Sequence, residues 1–539
     1  MSELNLPQPR SLGAHAVPEE RAALIREHVA MLSETALAVS DSLAFGADIS
    51  EFYRALESAP ADRGPDAAVS ERLQPVDVGS AAGLAAAIRS GASTSVAATE
   101  VTLDGLAAAQ ERCNAVVVMD RDAALADAKR ADAAVAAGEP LGPLHGVPLA
   151  HKDMLDRAGL IASWGGNIRA EKPATEDATV LARLKSAGAL QVAGLHLTEF
   201  AYGPIGHNYV LGHARNPWNP AHVTGGSSSG TACSIAMGAI PAGIGSDTAG
   251  SLRLPASACG IVSLKPTWSL VSPAGAMPLS PSLDAVGPMA RDVRDLALML
   301  GIMAGNDNRF GLSSRREVPD YPALANQSPA GLRIGIDEAL IGEAHESVQA
   351  RLYDALAALE AAGCKRVPIR IDNWRTLDHL AQLIQLTEAA SAHAPFLRHR
   401  RDDYGPQVRT RVEYGHFVPG VDYMTAARAR GVMLRKILDE VYSRADVVML
   451  PNFAVPIPTI AELDVGGGPK LMAALANVMR YSRPLNYLGL PALTLNYPHR
   501  DGEIPNGFQL MGRPFSEGTL LAAGRAYQDH VPVRLAPMH

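Results

Sequence analysis

The sequence predicts an α/β protein in which helices cover both faces of a large mixed, mainly parallel sheet, preceded by an N-terminal helical extension. Two observations predict this class. From about residue 76 onward, short runs rich in β-branched residues alternate with helical segments, and such alternation is typical of sheets covered on both faces. The composition, 47% hydrophobic and 19% charged over 539 residues, indicates a globular chain rather than a disordered one.

The first 75 residues have a pattern of their own. Residues 18–45 place apolar side chains at helical spacing, with acidic residues near the start. A second short helix is predicted over residues 49–56, and the breaker-rich stretch 58–66 follows it. We therefore divide the chain into an N-terminal helical extension, residues 1–75, and a main domain, residues 76–539. The extension is interpreted as a packing or oligomerisation element.

The main domain contains helices and strands in alternation. Helical spacing that ends at a glycine predicts helices over residues 177–187 and 347–362. Apolar, β-branched runs predict strands at residues 190–193, 332–336, 365–369 and 446–450. Because the sequence has no internal repeat, one large domain is expected.

Charge and cysteine usage exclude several classes of protein. The net charge of −8 and the lack of a Lys/Arg-rich run argue against a nucleic-acid partner. Four scattered cysteines without a CxxC pair argue against a disulfide framework. No secretory signal is visible at the start, and the longest uncharged apolar run, residues 232–245, is shorter than the roughly 20 residues of a membrane span. We therefore expect a cytoplasmic protein with no membrane partner.

One stretch, residues 224–260, is unusually rich in glycine, serine and alanine. It contains Gly-Gly-Ser-Ser-Ser-Gly at 225–230 and Gly-Ser-Asp-Thr-Ala-Gly-Ser at 245–251. Glycine lets the backbone approach a ligand closely, and small residues leave N–H groups available as donors. Hydroxyl side chains beside such donors indicate either an anion cradle or a serine nucleophile with an oxyanion hole. Interleaved apolar residues argue against a flexible linker.

Two familiar motifs fit this stretch only in part. A phosphate-binding loop requires a lysine after its glycines, and none follows here. Residues 226–230 satisfy GxSxG with Ser228 in the middle, although residues 220–224 make a poor strand before it. A Ser-His-Asp unit stays open because of three histidines late in the chain, His416, His499 and His530.

A third interpretation links the stretch to Lys152. This lysine follows a near-apolar segment that contains a turn, residues 146–150. Burial of an ammonium group favours its neutral form, and a neutral lysine is able to act as a base. From the residues alone, a solvated pair of Lys152 with Asp153 remains the more frequent situation.

Several segments, in order along the chain, resemble the motifs of the amidase signature family. They are residues 143–148, 152–153, 216–219, 225–230, 245–256, 259–267, 282–288 and 506–514. The resemblance covers roughly residues 79–530. It implies the amidase signature fold, a main domain that is the catalytic domain, and an amidohydrolase that cleaves a linear carbon–nitrogen (amide) bond.

The resemblance assigns a Ser-Ser-Lys catalytic triad. Ser251 would be the nucleophile that forms the acyl-enzyme, Ser227 the bridging serine, and Lys152 the general base. A serine hydroxyl is a weak nucleophile until a neighbour takes its proton. Lys152 would therefore need a pKa of roughly 7–8, well below its ordinary value. The resemblance also implies a cis peptide bond between Gly226 and Ser227.

The resemblance also assigns the positions around the triad. The oxyanion hole would consist of the backbone N–H groups of Thr248, Ala249, Gly250 and Ser251. Asp247 and Arg253 would brace the loop of the nucleophile. The substrate pocket would include Tyr202, Gly203 and Ser228.

Two residues depart from the commonest family pattern. Ser229 stands where glycine is usual after the two serines, and Ala249 replaces the first glycine of a Gly-Gly-Ser triplet. Alanine suits this position only if its φ angle is negative. Neither substitution removes a proton-transfer group.

The main functional hypothesis is therefore a stand-alone amidase whose partners are a small-molecule amide and water, with no cofactor and no metal. One alternative is a carbamate- or urea-type hydrolase with the same triad. Another is the amidase (A) subunit of an aminoacyl-tRNA amidotransferase, and a third is a non-catalytic binding protein. The sequence leaves the identity of the substrate and the oligomeric state, a homodimer included, open.

Overall fold

The structure is a computed structural model that describes residues 17–44, 46–62, 64, 79–169 and 172–536. The strands in these residues are β1 Val116–Met119, β2 Pro148–Lys152, β3 Leu190–Leu195, β4 Ala242–Asp247, β5 Val262–Lys265, β6 Ala285–Ala290, β7 Arg333–Ile336, β8 Lys365–Pro368, β9 Val447–Pro451, β10 Ala492–Asn496 and β11 Gly507–Gly512. The α-helices are α1 Glu19–Ser40, α2 Ser50–Glu57, α3 Ala81–Ser90, α4 Ser95–Cys113, α5 Arg121–Ala136, α6 Thr179–Ser186, α7 Ser229–Ala236, α8 Arg253–Cys259, α9 Val293–Met303, α10 Tyr321–Ala325, α11 Glu338–Ile341, α12 Glu346–Ala361, α13 Trp374–Leu397, α14 Pro406–Gly415, α15 Gly420–Glu440, α16 Ile460–Leu463, α17 Leu471–Met479, α18 Arg483–Tyr487 and α19 Glu517–His530. None of these helices combines the length and the apolar character that a membrane crossing requires.

All of the described strands join in one sheet, in the order β1-β3-β2-β4-β6-β5-β10-β11-β9-β7-β8. The predicted α/β class with a large mixed sheet is confirmed. The balance of strand directions differs from the expectation of mainly parallel pairing. Among the described strands, β2–β3, β2–β4, β7–β8 and β7–β9 are parallel, and the six other neighbouring pairs are antiparallel. The reason is that β6 returns between β4 and β5, and the consecutive strands β10 and β11 pair directly.

The central strands are covered on both faces. Every residue of β2, β4, β6, β9 and β11 is buried. Because successive side chains of a strand point to opposite faces, complete burial requires cover on each side of the sheet. The helices and strands predicted from the sequence at residues 177–193, 332–369 and 446–450 are confirmed, with ends that differ by one or two residues.

The two N-terminal helices form part of the main core. Residues Ile25, Val29 and Leu32 of α1 and Phe52 of α2 are buried in the same apolar cluster as the sheet. Helix α1 packs against α13 and α15, and α2 packs against α15. The packing role expected for the extension is therefore visible in both helices. The predicted boundary at residue 75, and part of the predicted stretch 58–66, lie outside the described residues.

Candidate active site

The carboxyl ends of two parallel strands bring together the first polar groups of the site. Strands β2 and β4 pair in parallel, with Ala150 opposite Gly243 and His151 opposite Ile244. Strand β2 ends at Lys152, and β4 carries Ser246 close to its own end. Helix α7 begins at Ser229, immediately after the Gly-Ser-rich segment. Open α/β sheets commonly place ligand sites outside the carboxyl ends of their strands.

Lys152 is fully buried and lies against two serine hydroxyls. Its Nζ atom is 2.6 Å from Ser227 Oγ and 2.8 Å from Ser246 Oγ. Burial lowers the pKa of Lys152 to about 7, although the carboxylates of Asp247 and Asp284 act in the opposite direction. A large fraction of the amine is therefore neutral near pH 7, with a hydroxyl in hydrogen-bond contact.

The segment that carries Ser227 is joined to the one that carries Ser251. The predicted cis peptide bond between Gly226 and Ser227 is confirmed. The Ser228 N–H donates to the Ser251 carbonyl oxygen at 3.3 Å. Ser227 is fully buried, whereas Ser251 lines a pocket and is 8% exposed. Within the described residues the Ser251 hydroxyl has no hydrogen-bond partner, so it is available to a ligand in that pocket.

The structure corrects one of the four predicted oxyanion-hole donors. The Gly250 N–H donates to Asp247 Oδ1 at 2.8 Å and is therefore not available to a ligand. The N–H groups of Thr248, Ala249 and Ser251 have no hydrogen-bond acceptor among the described residues. Gly250 has a φ angle of +120°, a value that favours glycine, whereas Ala249 is not among the described residues with positive φ. The alanine in the Ala-Gly-Ser triplet therefore causes no strain of this kind.

Asp247 and Arg253 form a buried ion pair behind this loop. Arg253 Nε lies 3.0 Å from Asp247 Oδ2, and Arg253 Nη2 lies 3.0 Å from Asp247 Oδ1. Burial alone would raise the pKa of Asp247, but the adjacent Arg253 guanidinium holds the pKa well below its ordinary value. The carboxylate also accepts the N–H groups of Gly250 and Leu252. The pair thus fixes the backbone on both sides of Ser251.

The structure places two of the three predicted substrate-pocket residues along the pocket that contains Ser251, and the third outside it. Tyr202 and Gly203 line the pocket beside Ala249 and Ser251. Ser228 does not: it is fully buried, and its hydroxyl contacts the backbone of Ser246 at 3.3 Å on strand β4. Its position also removes the Ser-His-Asp alternative, because the partner of this hydroxyl is main chain rather than an imidazole.

Sequence reasoning missed the cationic wall of the pocket. Arg411 on α14 and Arg483 on α18 both line it. Arg483 Nη1 pairs with Asp378 at 2.7 Å. Arg411 donates from Nε to the Gln407 carbonyl oxygen at 3.1 Å and lies 4.7 Å above the Tyr202 ring. Burial lowers the pKa of Arg411 to about 10, which leaves it charged at neutral pH.

The two Nη groups of Arg411 donate no hydrogen bond within the described residues, and no carboxylate there lies within ion-pair distance. Arg411 is thus a buried cation that faces the pocket without a bonded anion. Helix α14 carries no recognisable motif and is remote from the serines along the chain, so no sequence signal marked this residue.

Among the described residues, one group of side chains brings together donor atoms of the kinds that bind metal ions: His207, His213 and Asp464. The two imidazole rings are stacked, with centroids 4.4 Å apart and planes 18° apart. The in-plane lone pairs of the two rings therefore lie in two nearly parallel, separate planes, which does not suit their convergence on one metal ion. We assign no metal to this group.

Comparison with known proteins agrees with these motifs. The family profile named Amidase matches residues 97–521. The A subunit of glutamyl-tRNA(Gln) amidotransferase from Chloroflexus aurantiacus is 35% identical over 468 residues, 82% of this chain and 94% of that protein. The A subunit of the same enzyme from Carboxydothermus hydrogenoformans is 33% identical over 461 residues, 81% of this chain and 94% of that protein.

Solved structures resemble the chain over most of its length. Native peptide amidase from Stenotrophomonas maltophilia aligns with a TM-score of 0.73 at 27% identity, over 86% of this chain and 100% of that one. A structure described as a vestigial protein complex that reveals the origins of an s-triazine catabolic enzyme has a TM-score of 0.78 at 31% identity, over 85% and 99%. The expectation that no nucleic acid takes part finds no support here, because the amidotransferase relatives are named for a tRNA.

Proposed function

The chain belongs to the amidase family, and we propose that it hydrolyses a linear carbon–nitrogen (amide) bond through an acyl-enzyme on Ser251. The observation that carries this proposal is the fully buried Lys152 amine, 2.6 Å from the Ser227 hydroxyl, with a pKa lowered to about 7. A neutral amine in contact with a buried hydroxyl is a general base at the end of a proton relay.

The reaction begins when Ser251 attacks the amide carbon. The Ser251 hydroxyl, which has no hydrogen-bond partner among the described residues, would turn toward Ser227 Oγ and give it a proton, while the Ser227 proton passes to Lys152 Nζ. The new bond from Ser251 Oγ to the carbonyl carbon makes a tetrahedral oxyanion. When this species collapses, the carbon–nitrogen bond breaks, and the leaving amine takes a proton from Lys152 by way of Ser227. Water then attacks the ester carbon and gives a proton to Lys152 by way of Ser227. When this second tetrahedral species collapses, the bond from the carbon to Ser251 Oγ breaks, Ser251 Oγ takes the proton back through Ser227, and the acid is released.

The oxyanion would be held by the backbone N–H groups of Thr248, Ala249 and Ser251, which lie at the end of β4 and before α8. The ion pair of Asp247 and Arg253 fixes this loop in advance. Preorganised donors of this kind stabilise the charge that develops in the transition state, and loss of one donor typically lowers the rate by about 10²–10³.

We infer that the preferred substrate carries an anionic group on its acyl side. A buried cation without a bonded anion is unfavourable, and among the described residues Arg411 is such a cation in the wall of the pocket that contains Ser251. A carboxylate on the substrate would neutralise it through charge-assisted hydrogen bonds. A suitable matched pair is succinamate and butyramide, which differ by a carboxylate in place of a methyl group.

Arg411→Met tests this substrate class. Loss of the guanidinium should raise the KM for succinamate about 10- to 100-fold, the usual range for a hydrogen bond to a charged group. The kcat/KM for butyramide should change by less than about threefold, because butyramide offers Arg411 no anion. Released ammonia measures both reactions. An equal decline for the two amides would contradict the inference.

The catalytic proposal is tested by labelling and turnover. A fluorophosphonate reagent should modify one serine, found by mass spectrometry of the intact protein and its peptides. Ser251→Ala should abolish both labelling and amide hydrolysis. Ser228→Ala is the matched control, because its hydroxyl contacts only backbone, and it should keep both. Residual activity of Ser251→Ala above a tenth of wild type would remove Ser251 from its role.

The similarity to the A subunits of the tRNA amidotransferases favours a second candidate function, in which the chain releases ammonia for a partner. The two functions differ in what the isolated chain is able to do. For a stand-alone amidase, the chain alone should release ammonia from succinamate or another simple amide. Activity with glutamine that appears only after addition of the other amidotransferase subunits would favour the second candidate.

A further inference from the structure

Helix α1 lies before the residues that match the amidase family, which begin at residue 97. It nevertheless contacts three of the elements that form the active-site pocket, without lining the pocket itself. Its apolar side chains face the common core. Its polar side chains reach α13, α14 and the loop before α17. Helices α13, α14 and α17 all contribute residues to the pocket. Apart from α15, the elements that α1 contacts through these polar side chains therefore also shape the site.

The first contact is a chain of hydrogen bonds that runs from α1 to Arg483. His28 Nε2 lies 3.2 Å from Gln382 Oε1. Gln382 Nε2 donates to Asp378 Oδ2 at 2.9 Å, and Asp378 accepts Arg483 Nη1. Gln382 and Arg483 both line the pocket. Because burial lowers the pKa of His28 to about 4, its imidazole is neutral at pH 7.

A neutral imidazole whose Nε2 carries the proton donates to Gln382 Oε1. This bond fixes which end of the Gln382 amide faces Asp378, since only the NH₂ end is able to donate to a carboxylate. His28 therefore determines the orientation of Gln382 and, through Asp378, the position of the Arg483 guanidinium.

The second contact is an ion pair beside Arg411. Arg21 Nη1 lies 3.1 Å from Glu413 Oε2, and Arg21 Nη2 donates to Thr410 Oγ1 at 2.9 Å. Thr410 and Glu413 flank Arg411 on α14. The same guanidinium donates to the Gly467 carbonyl oxygen at 3.3 Å, in the loop before α17. Glu413 is fully buried, so the loss of one of its cationic partners leaves a carboxylate that is poorly compensated.

We propose that α1 is a specificity-determining element of the pocket, in which Arg21 and His28 are positioning residues for the groups that bind an anionic substrate. This inference rests on the proposed function. Arg21 holds the turn of α14 that carries Arg411, and His28 holds Gln382 and Arg483. Neither residue lines the pocket itself, so both act through the residues that do.

The test compares succinamate and butyramide hydrolysis by Arg21→Ala and His28→Ala. Each variant should raise the KM for succinamate about 5- to 30-fold, less than the loss of a direct hydrogen bond to a charged group, because each residue acts on the substrate only through another side chain. The kcat/KM for butyramide should stay within about twofold of wild type. Arg26→Ala is the matched control, because Arg26 pairs with the exposed Glu19 on the same helix, and it should change neither reaction.

A conservative variant separates positioning from packing. Arg21→Lys keeps a cation opposite Glu413 and should recover part of the affinity for succinamate, whereas a helix needed only for packing would show no difference between lysine and alanine. An equal loss of activity toward both amides, or no change in either, would overturn the proposal.

Binding of the product makes the test independent of turnover. Succinate should bind to the Ser251→Ala protein in calorimetry. A second substitution in that protein, Arg21→Ala or His28→Ala, should weaken this binding about 5- to 30-fold. If succinate does not bind at all, the role assigned to α1 is wrong, while fluorophosphonate labelling of Ser251 leaves the hydrolase proposal intact. If labelling of Ser251 fails while succinate binds, the catalytic proposal is wrong and the role of α1 stands.

Discussion

Two lysines in this protein have nearly the same electrostatic situation and very different neighbours. Lys152 and Lys265 are both buried, and burial lowers the pKa of each to about 7. Lys152 Nζ lies against the hydroxyls of Ser227 and Ser246. Lys265 Nζ donates to the carbonyl oxygen of the adjacent Pro266 at 2.9 Å. A depressed pKa therefore follows from burial at either place, and only the hydroxyl contact distinguishes the candidate base.

The largest expected effect is that of Lys152→Met. Methionine fills a similar unbranched volume but offers no amine, so Ser227 loses its proton acceptor. General bases contribute about 10²–10⁴ to rates, and we expect kcat/KM to fall at least 10²-fold in the ammonia-release assay. Thermal unfolding should show that the variant remains folded. A mild effect would mean that Lys152, like Lys265, does not act as the general base.

The sequence predicted those polar groups of the site that lie within a recognisable motif. Lys152, Ser227 and Ser251 each lie in a recognisable segment, and the helices and strands around them carry clear periodicity and glycine boundaries. The expected predominance of parallel strands was not found, because the sequence does not reveal that β6 returns between β4 and β5. Strand order depends on packing between segments that are remote along the chain.

The details that the sequence missed all depend on where a polar atom finds its partner. The Gly250 N–H is taken by the Asp247 carboxylate, and the Ser228 hydroxyl turns toward β4 rather than toward the pocket. Ser246 lies within the motif at residues 245–251, but nothing in that motif indicates its contact with Lys152. Arg411 reaches the pocket from α14, and only the folded chain brings it there.

The pH dependence of catalysis should also distinguish Lys152 from Lys265. Only the neutral form of Lys152 is able to accept a proton, and its pKa is lowered to about 7. The kcat/KM should therefore rise about tenfold per pH unit below pH 7 and level off above it. The same profile should be found for Lys265→Met. If removal of Lys265 shifted this profile strongly, the titrating base would have been assigned to the wrong lysine.

A smaller effect is expected for Ser246→Ala. The Ser246 hydroxyl accepts a hydrogen bond from the charged form of Lys152 at 2.8 Å, and bonds to a charged form favour that form. Its removal should lower the pKa of Lys152 further, so that the acidic limb of the kcat/KM profile moves to lower pH. We expect kcat to fall about 3- to 10-fold because the amine is held less firmly. A shift of the limb to higher pH would contradict this assignment.

Lys265→Met should have the smallest effect on rate, within about twofold, because no reacting hydroxyl contacts this amine. Its effect on stability is pH-dependent. The pKa of Lys265 is about 7 in the folded chain against an ordinary value of 10.5, so between these values the unfolded chain binds more protons and stability rises with pH. Methionine removes this contribution. From pH 7 to pH 9.5, the free energy of unfolding should therefore rise by about 3 kcal/mol more in wild type than in the variant. Denaturant titrations at the two pH values measure the difference, and a constant difference would mean that Lys265 keeps its charge in the folded protein, unlike Lys152.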